Sequence, residues 1–139
     1  MSSNPNDFNQ QIITEFRANG GKVGGQFAGG HLLLLTTTGA RSGNPRTIPL
    51  GYATDGDRIV IIASYNGAPS HPDWYHNLVA NPTATVEMGT EKFQARAMVI
   101  EGEERERLWN RLAEQMPFLA EHQRKTTRQI PLVVLERAN

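Results

Sequence analysis

The chain has 139 residues, enough for one domain with a hydrophobic core of its own. Lys+Arg and Asp+Glu both number 14, so no overall field draws the protein toward nucleic acid or an anionic membrane, and any electrostatic function has to be local. Cysteine is absent, which excludes thiol catalysis, disulfides and thiolate metal sites and allows a reducing compartment.

The first ten residues, MSSNPNDFNQ, have neither a basic start nor an apolar stretch, so no secretory signal is expected. The longest apolar run, Leu32–Leu35, is too short to span a bilayer, and a soluble, cytoplasmic protein is the expectation. Asp7 followed by Gln10 resembles a capping box. After it, Phe8, Ile12, Ile13 and Phe16 share one helical face, and Asn19-Gly20 is a stop signal. Residues 20–30, GGKVGGQFAGG, are too glycine-rich for regular structure and read as a mobile connector, with Val23 and Phe27 open to a lid role. Residues 1–30 are thus an N-terminal helix with its connector, and residues 31–139 are the main domain.

From His31 the pattern turns to strands. Leu32–Thr38 is a buried-type run, and Ile48, Leu50 and Tyr52 alternate with smaller or polar residues in a second strand. Pro49 marks an edge or a bulge there. Asp55-Gly56-Asp57 signals a tight turn into Arg58–Ser64. A short helix is predicted from Ser70-His71-Pro72 to Asn81-Pro82. Thr83–Met88 and Lys92–Ile100 form a hairpin around Gly89-Thr90. Glu103–Gln115 is an amphipathic helix with Leu108, Trp109, Leu112 and Met116 on one side, and after an irregular segment Ile130–Leu135 is a last strand. Tight turns between successive strands favour antiparallel pairing. The fold class is therefore mainly β or α+β: a small barrel or strongly curled sheet with an N-terminal helix and two further helices.

The densest local chemistry is Thr36–Thr47, which puts Arg41 and Arg46 into a loop of Gly, Ser, Asn and Pro. Glycine lets backbone N–H groups approach a ligand, Ser42 can donate, and guanidiniums supply fixed charge, which together suit phosphate or carboxylate. The loop is neither a P-loop nor a nucleophile elbow. It is equally readable as a polar hairpin connection with both arginines solvated. Ala63-Ser64-Tyr65-Asn66-Gly67 leaves the most apolar strand, a place where small and hydroxyl residues either face a ligand or make a plain exit. His71-Pro72-Asp73-Trp74-Tyr75-His76-Asn77 is an aromatic and polar cluster in which Trp74 reads as core. The two histidines lack metal-ligand spacing, and no metal site is expected.

Thr36–Arg46, Pro49-Leu50, Ala63-Ser64, Trp74-Tyr75-x-Asn77-Leu78-x-Ala80-Asn81-Pro82 and Ile130-Pro131-Leu132-Val133-Val134, in that order, resemble the deazaflavin-dependent nitroreductase and quinone reductase family. These are split β-barrel oxidoreductases that use coenzyme F420, with folds related to FMN-binding barrels. The resemblance implies that Arg41, Ser42 and Arg46, with Gly43 and Asn44 between them, hold the cofactor's phosphate and its acidic tail. It implies that Pro49, Ala63 and Ser64 line the deazaflavin ring, with Tyr65, Asn66 and Gly67 beside them, and that Trp74 and Asn77 lie on the helix closing that site. Met116, Leu119 and His122 fall at the acceptor pocket.

Two departures stand out: Tyr65 replaces a lysine of the best-known members, and Met116–His122 has no tyrosine where nitroimidazole-reducing members are tyrosine-rich. The implied reaction carries a hydride from C5 of the reduced deazaflavin to a small electron-poor acceptor: a quinone, an enone or a nitroarene. Tyr65, Tyr75, His76 or His122 can deliver the accompanying proton, and the residues do not choose among them. FMN in the same barrel is the runner-up, because its phosphate is also anionic. A non-catalytic F420 carrier is the alternative from another class. No nucleic acid and no transmembrane segment are implied. The Phe8/Ile12/Phe16 helix favours packing on the barrel over peripheral membrane contact, and monomer and homodimer both stay open.

Overall fold

Four leucines in succession, Leu32–Leu35, are stable in a strand only if both of its faces are covered. The structure, a computed structural model, does this, and it describes residues 5–21, 32–64 and 67–138, the first four of these by backbone alone. Strand β1 (Leu32–Thr38) turns Leu33 and Leu35 into the main core beside Ile61, Val86, Val133 and Leu135. Leu32 and Leu34 face the other way, against Ile12, Ile13 and Phe16 of helix α1 (Pro5–Ala18). The alternation fits a side-chain period of two.

The remaining elements follow as β2 (Pro45–Gly51), β3 (Ala53–Asp55), β4 (Arg58–Ile62), α2 (Asp73–Ala80), β5 (Thr83–Met88), β6 (Glu91–Val99), α3 (Gly102–Gln115), α4 (Phe118–Arg124) and β7 (Leu132–Arg137). All pairings are antiparallel, and the strand order is β2-β1-β5-β6-β7-β4-β3. Strand β7 repeats the two-faced logic of β1: Val133 and Leu135 face the main core, while Leu132 and Val134 meet Leu108, Leu112 and Leu119 from α3 and α4. Strands β2 and β3 end the order at opposite sides, yet Tyr52 alone separates them in the chain. The sheet therefore curls until its two ends meet covalently, which is the split-barrel form. Pro49 sits opposite Leu34 on the edge strand β2, where its missing N–H costs no ladder bond.

Four differences from the sequence reading have local causes. Helix α1 begins at Pro5, so Asp7 lies within its first turn; proline is at home at a first helical position. Tyr52 is a break between two strands, giving seven strands where six are read. Helix α4 occupies the stretch predicted to be irregular, making three helices after α1. Its seven residues bury Leu119 alone, too short a pattern to show a helical period. Strand β7 starts at Leu132 and runs to Arg137, two residues beyond the predicted ends. The connector from residue 22 to 30 and the pair Tyr65-Asn66 lie outside the described residues. No helix among the described residues is long and apolar enough to cross a membrane.

Charged contacts pin the outer layer. Arg17 of α1 makes a two-pronged ion pair with Glu87 of β5, at 3.1 and 2.8 Å. At the β3–β4 turn, Asp55 accepts from Arg58 at 2.6 Å, Arg107 at 3.2 Å and Arg111 at 2.6 Å, joining the turn to α3. The Arg58 hydrogen bond, with Arg107 in support, holds the Asp55 carboxyl below its ordinary pKa despite its burial. A depressed folded-state pKa stabilises above the unfolded value and stops doing so as pH falls through the folded one. We expect Asp55→Asn to cost about 2 kcal/mol at neutral pH in urea unfolding. That gap should close below about pH 4. An acid-insensitive gap would show that the carboxylate charge is not what holds the turn.

Candidate functional site

The β1–β2 hairpin is closed by a loop that hydrogen-bonds to itself. Gly39 N–H donates to the Asn44 carbonyl at 2.8 Å, and Gly43 N–H to the Gly39 carbonyl at 2.9 Å. Gly43 has φ +72°, a conformation that favours glycine. A Cβ on Gly39 would stand 2.6 Å from the Ser42 oxygen and 3.2 Å from the Asn44 carbonyl oxygen, so a larger residue there would displace the Ser42 hydroxyl. Ser42 Oγ accepts from Asn44 N–H at 3.1 Å, which leaves its hydroxyl proton available. Below the loop, the hydroxyls of Thr36 and Thr47 bond across the two strands at 2.7 Å.

Asn77 locks this loop to α2. Its Oδ1 accepts from Ala40 N–H at 2.9 Å, and its Nδ2 donates to Thr37 Oγ1 at 3.1 Å. Only 8% of Asn77 is exposed, so both bonds are shielded from water. Between loop and helix lies a cleft of about 570 Å³ lined by Arg41, Ser42, Arg46, Asp73, His76 and Asn77, with Gly39 and Ala40 at its back. Arg41 and Arg46 are exposed, and among the described residues neither guanidinium has an ion-pair partner.

At the start of α2 is a second space, a chamber of about 490 Å³ with mainly apolar walls. Leu50, Tyr52, Ala53 and Ile62 line it from the strands, Pro72 and Trp74 from the start of α2, and Met116, Phe118 and Leu119 from the α3–α4 corner. Ser64 and His122 are polar groups on its wall. The Nδ1 of His122 is buried with no hydrogen-bond partner, and its ring centroid lies 5.3 Å from that of Phe118. Helix α2 lines both spaces: Trp74 borders the chamber, while His76 and Asn77 border the cleft.

The residues singled out in the sequence sort into these spaces. Arg41, Ser42, Arg46 and Asn77 meet in the cleft; Ser64, Trp74, Met116, Leu119 and His122 meet in the chamber. Gly43 and Asn44 shape the loop from its exposed side. Pro49 and Ala63 lie behind the walls, Ala63 fully buried. Gly67 is buried against α4, where a Cβ would meet the His122 carbonyl at 2.7 Å and Lys125 Cβ at 2.9 Å. Of the proton-donor candidates, His76 is in the cleft and Tyr75 lines a smaller cavity with His71 and Arg105. Tyr65 and Asn66 lie outside the described residues. No cluster of metal-ligating side chains occurs among the described residues.

Sequence reasoning missed Arg128. Its Nε donates to the Ala68 carbonyl at 2.8 Å, Nη1 to the Ala63 carbonyl at 3.0 Å and Nη2 to the Ser64 carbonyl at 2.7 Å. Nη1 also lies 2.9 Å from His71 Nδ1. Burial, then the nearby Arg128 charge and His76, lower the His71 pKa, so this ring is neutral and Nδ1 accepts. One side chain therefore ties together Ala63, Ser64, Ala68 and His71. Its partners lie about sixty residues away, and no local pattern marks it.

The curled antiparallel sheet, with a basic cleft and an apolar chamber that both reach α2, has the split-barrel architecture, here that of an oxidoreductase family. Residues 9–137 match the family described as F420H(2)-dependent quinone reductase, and the chain belongs to that family. It is 40% identical over 126 residues to the F420H(2)-dependent quinone reductase Rv1261c of Mycobacterium tuberculosis strain H37Rv, covering 88% of this chain and 85% of that protein. Among solved structures it is similar to the F420-H2 dependent reductase FDR-A, at 42% identity and TM-score 0.67, over 76% of this chain and 93% of that one. It is also similar to a structure described as a domain-swapped dimer, at 38% identity and TM-score 0.70, over 96% of this chain and 100% of that one.

Replacing Asn77 with Ala strands the Ala40 N–H and removes the tie to Thr37. The expected cost is about 1–3 kcal/mol in urea unfolding, accompanied by weaker anion binding in the cleft. Wild-type stability and affinity together would show that the loop holds its shape without this latch.

Proposed function

We propose that this protein is an F420H2-dependent reductase that passes a hydride to a quinone-class acceptor, with the cofactor's anionic end in the cleft and its ring end toward the chamber. The observation that carries this reading is that α2 lines both a cleft with two guanidiniums unpaired among the described residues and an apolar chamber. The residues suit the group. Arg41 and Arg46 match phosphate and carboxylate oxygens in charge and fork geometry, and Ser42 keeps a hydroxyl proton to donate. Trp74 and the strand end at Ser64 give a planar ring system an apolar wall and one polar contact.

When bound, the reduced deazaflavin supplies the hydride at C5. The protein's part is to bind, orient and shield. The Arg41–Arg46 loop anchors, Asn77 sets the angle between anchor and chamber, and Arg128 fixes Ser64 at the chamber wall. The apolar lining keeps water away from the reacting end. For the proton, His122 is our assignment, because it lines the chamber while Tyr75 and His76 face elsewhere. The assembled form we infer is a homodimer, a reading supported by the dimeric structure at 38% identity.

Arg41→Ala and Arg46→Ala should each weaken F420 binding about tenfold in a fluorescence titration, an effect that shrinks as salt rises. Their unfolding midpoints should stay at the wild-type value, since both side chains are exposed. Unchanged affinity in both variants would sink the cleft assignment. Following oxidation of F420H2 against soluble quinones, His122→Gln should lower kcat by about 100-fold. A kcat equal to wild type would move the proton to another group. A monomeric mass by light scattering would overturn the dimer.

A further inference from the structure

Away from the cleft and the chamber, a third cavity of about 530 Å³ opens between α3, the end of α4 and the segment leading into β7. Asn110, Thr127 and Gln129 give it amide and hydroxyl groups, and Arg105 and Arg128 bring two guanidiniums. Gln123 is also on the wall, but its amide is occupied, donating to the Arg128 carbonyl at 2.7 Å and accepting from Ile130 N–H at 3.0 Å.

Arg105 is the unusual member. It is 8% exposed, its guanidinium carbon lies 5.1 Å from the centre of the Trp109 ring, and its Nη1 is buried without a hydrogen-bond partner. Among the described residues Arg128 donates to neutral acceptors, three carbonyls and His71, and forms no ion pair. Burial lowers the pKa of both arginines, and at Arg105 the charge of Glu106 offsets this only in part. Glu106 is the one carboxylate on the wall; it is exposed and forms no ion pair among the described residues. Two desolvated cations facing one polar cavity are costly unless an anion from outside joins them.

We propose that this cavity is a second oxyanion site, taking a phosphate or carboxylate group between Arg105 and Arg128. Trp109 holds the Arg105 guanidinium in place from its face, and Asn110, Thr127 and Gln129 complete the donor set with neutral groups. The site communicates with the chamber through Arg128, whose Nη2 holds the Ser64 carbonyl. An anion seated here therefore lies one side chain from the chamber wall. The assignment stands whether or not the chamber binds F420.

The test uses the full chain carrying Arg41→Ala and Arg46→Ala, so that the first cleft does not contribute. Phosphate and citrate, titrated separately, should raise its thermal midpoint by roughly 5 °C at saturation. Adding Arg105→Gln should abolish that rise. No rise, or the same rise with Arg105→Gln present, overturns the site. If Arg105→Gln does not fold, Arg105→Lys replaces it, since it keeps the charge and loses the fork; a diminished rise supports the site and an undiminished one overturns it. The source of the anion is read separately, with Arg105→Gln alone. Weakened binding of tailed F420 but not of the tail-less deazaflavin assigns the anion to the cofactor. Unchanged binding of both, with the anion-induced rise lost, assigns it to a free anion.

Discussion

Strands β2 and β3 stand at opposite ends of a seven-stranded order, and a single residue, Tyr52, joins them. No flat sheet satisfies that connection, because six inter-strand steps of nearly 5 Å separate its ends. The sheet must roll until the two edges meet, and everything functional is placed by the roll. The junction contributes Leu50, Tyr52 and Ala53 to the chamber, and the opposite end of the β1–β2 hairpin carries the basic loop. Helix α2 then lines both spaces, with Asn77 bonded to the loop and Trp74 bordering the chamber.

Much of this frame is legible in the sequence because it rests on local pattern. Leu32–Leu35 announces a strand covered on both faces, and the two faces prove to be the barrel core and α1. Asn81-Pro82 ends α2 where the restriction before proline requires. The Arg41–Arg46 loop reads as an anion cradle from composition alone, and family order draws Ser64, Trp74 and Asn77 toward it. What escapes is what depends on distant partners. Asp55 reads as a turn residue, yet it gathers Arg58, Arg107 and Arg111 from two elements. Helix α4 escapes because Leu119 is its one buried residue. Gly67 looks like ligand-facing glycine, and its real neighbour is the backbone of α4.

The arginines divide by what they touch. Arg17 and Arg58 meet carboxylates and fasten the outer layer to the sheet. Arg128 meets carbonyl oxygens and works as a cross-brace for a stretch of chain with no strand partner of its own. Arg41 and Arg46 form no ion pair among the described residues and line a cleft. In a chain of zero net charge, that division decides where an anion is held.

Strand β7 has a consequence for how the molecule is made. It is the last strand among the described residues, yet it stands inside the sheet, fifth in the order, between β6 and β4. During synthesis the strands already emerged can form β2-β1-β5-β6 and β4-β3, two sheets with open edges and no shared ladder. Only when β7 leaves the ribosome are they sewn together, and Arg128 arrives just ahead of it to brace the chamber wall. Until β7 is in place the two part-sheets share no ladder, and their exposed edges must be kept from pairing with other chains.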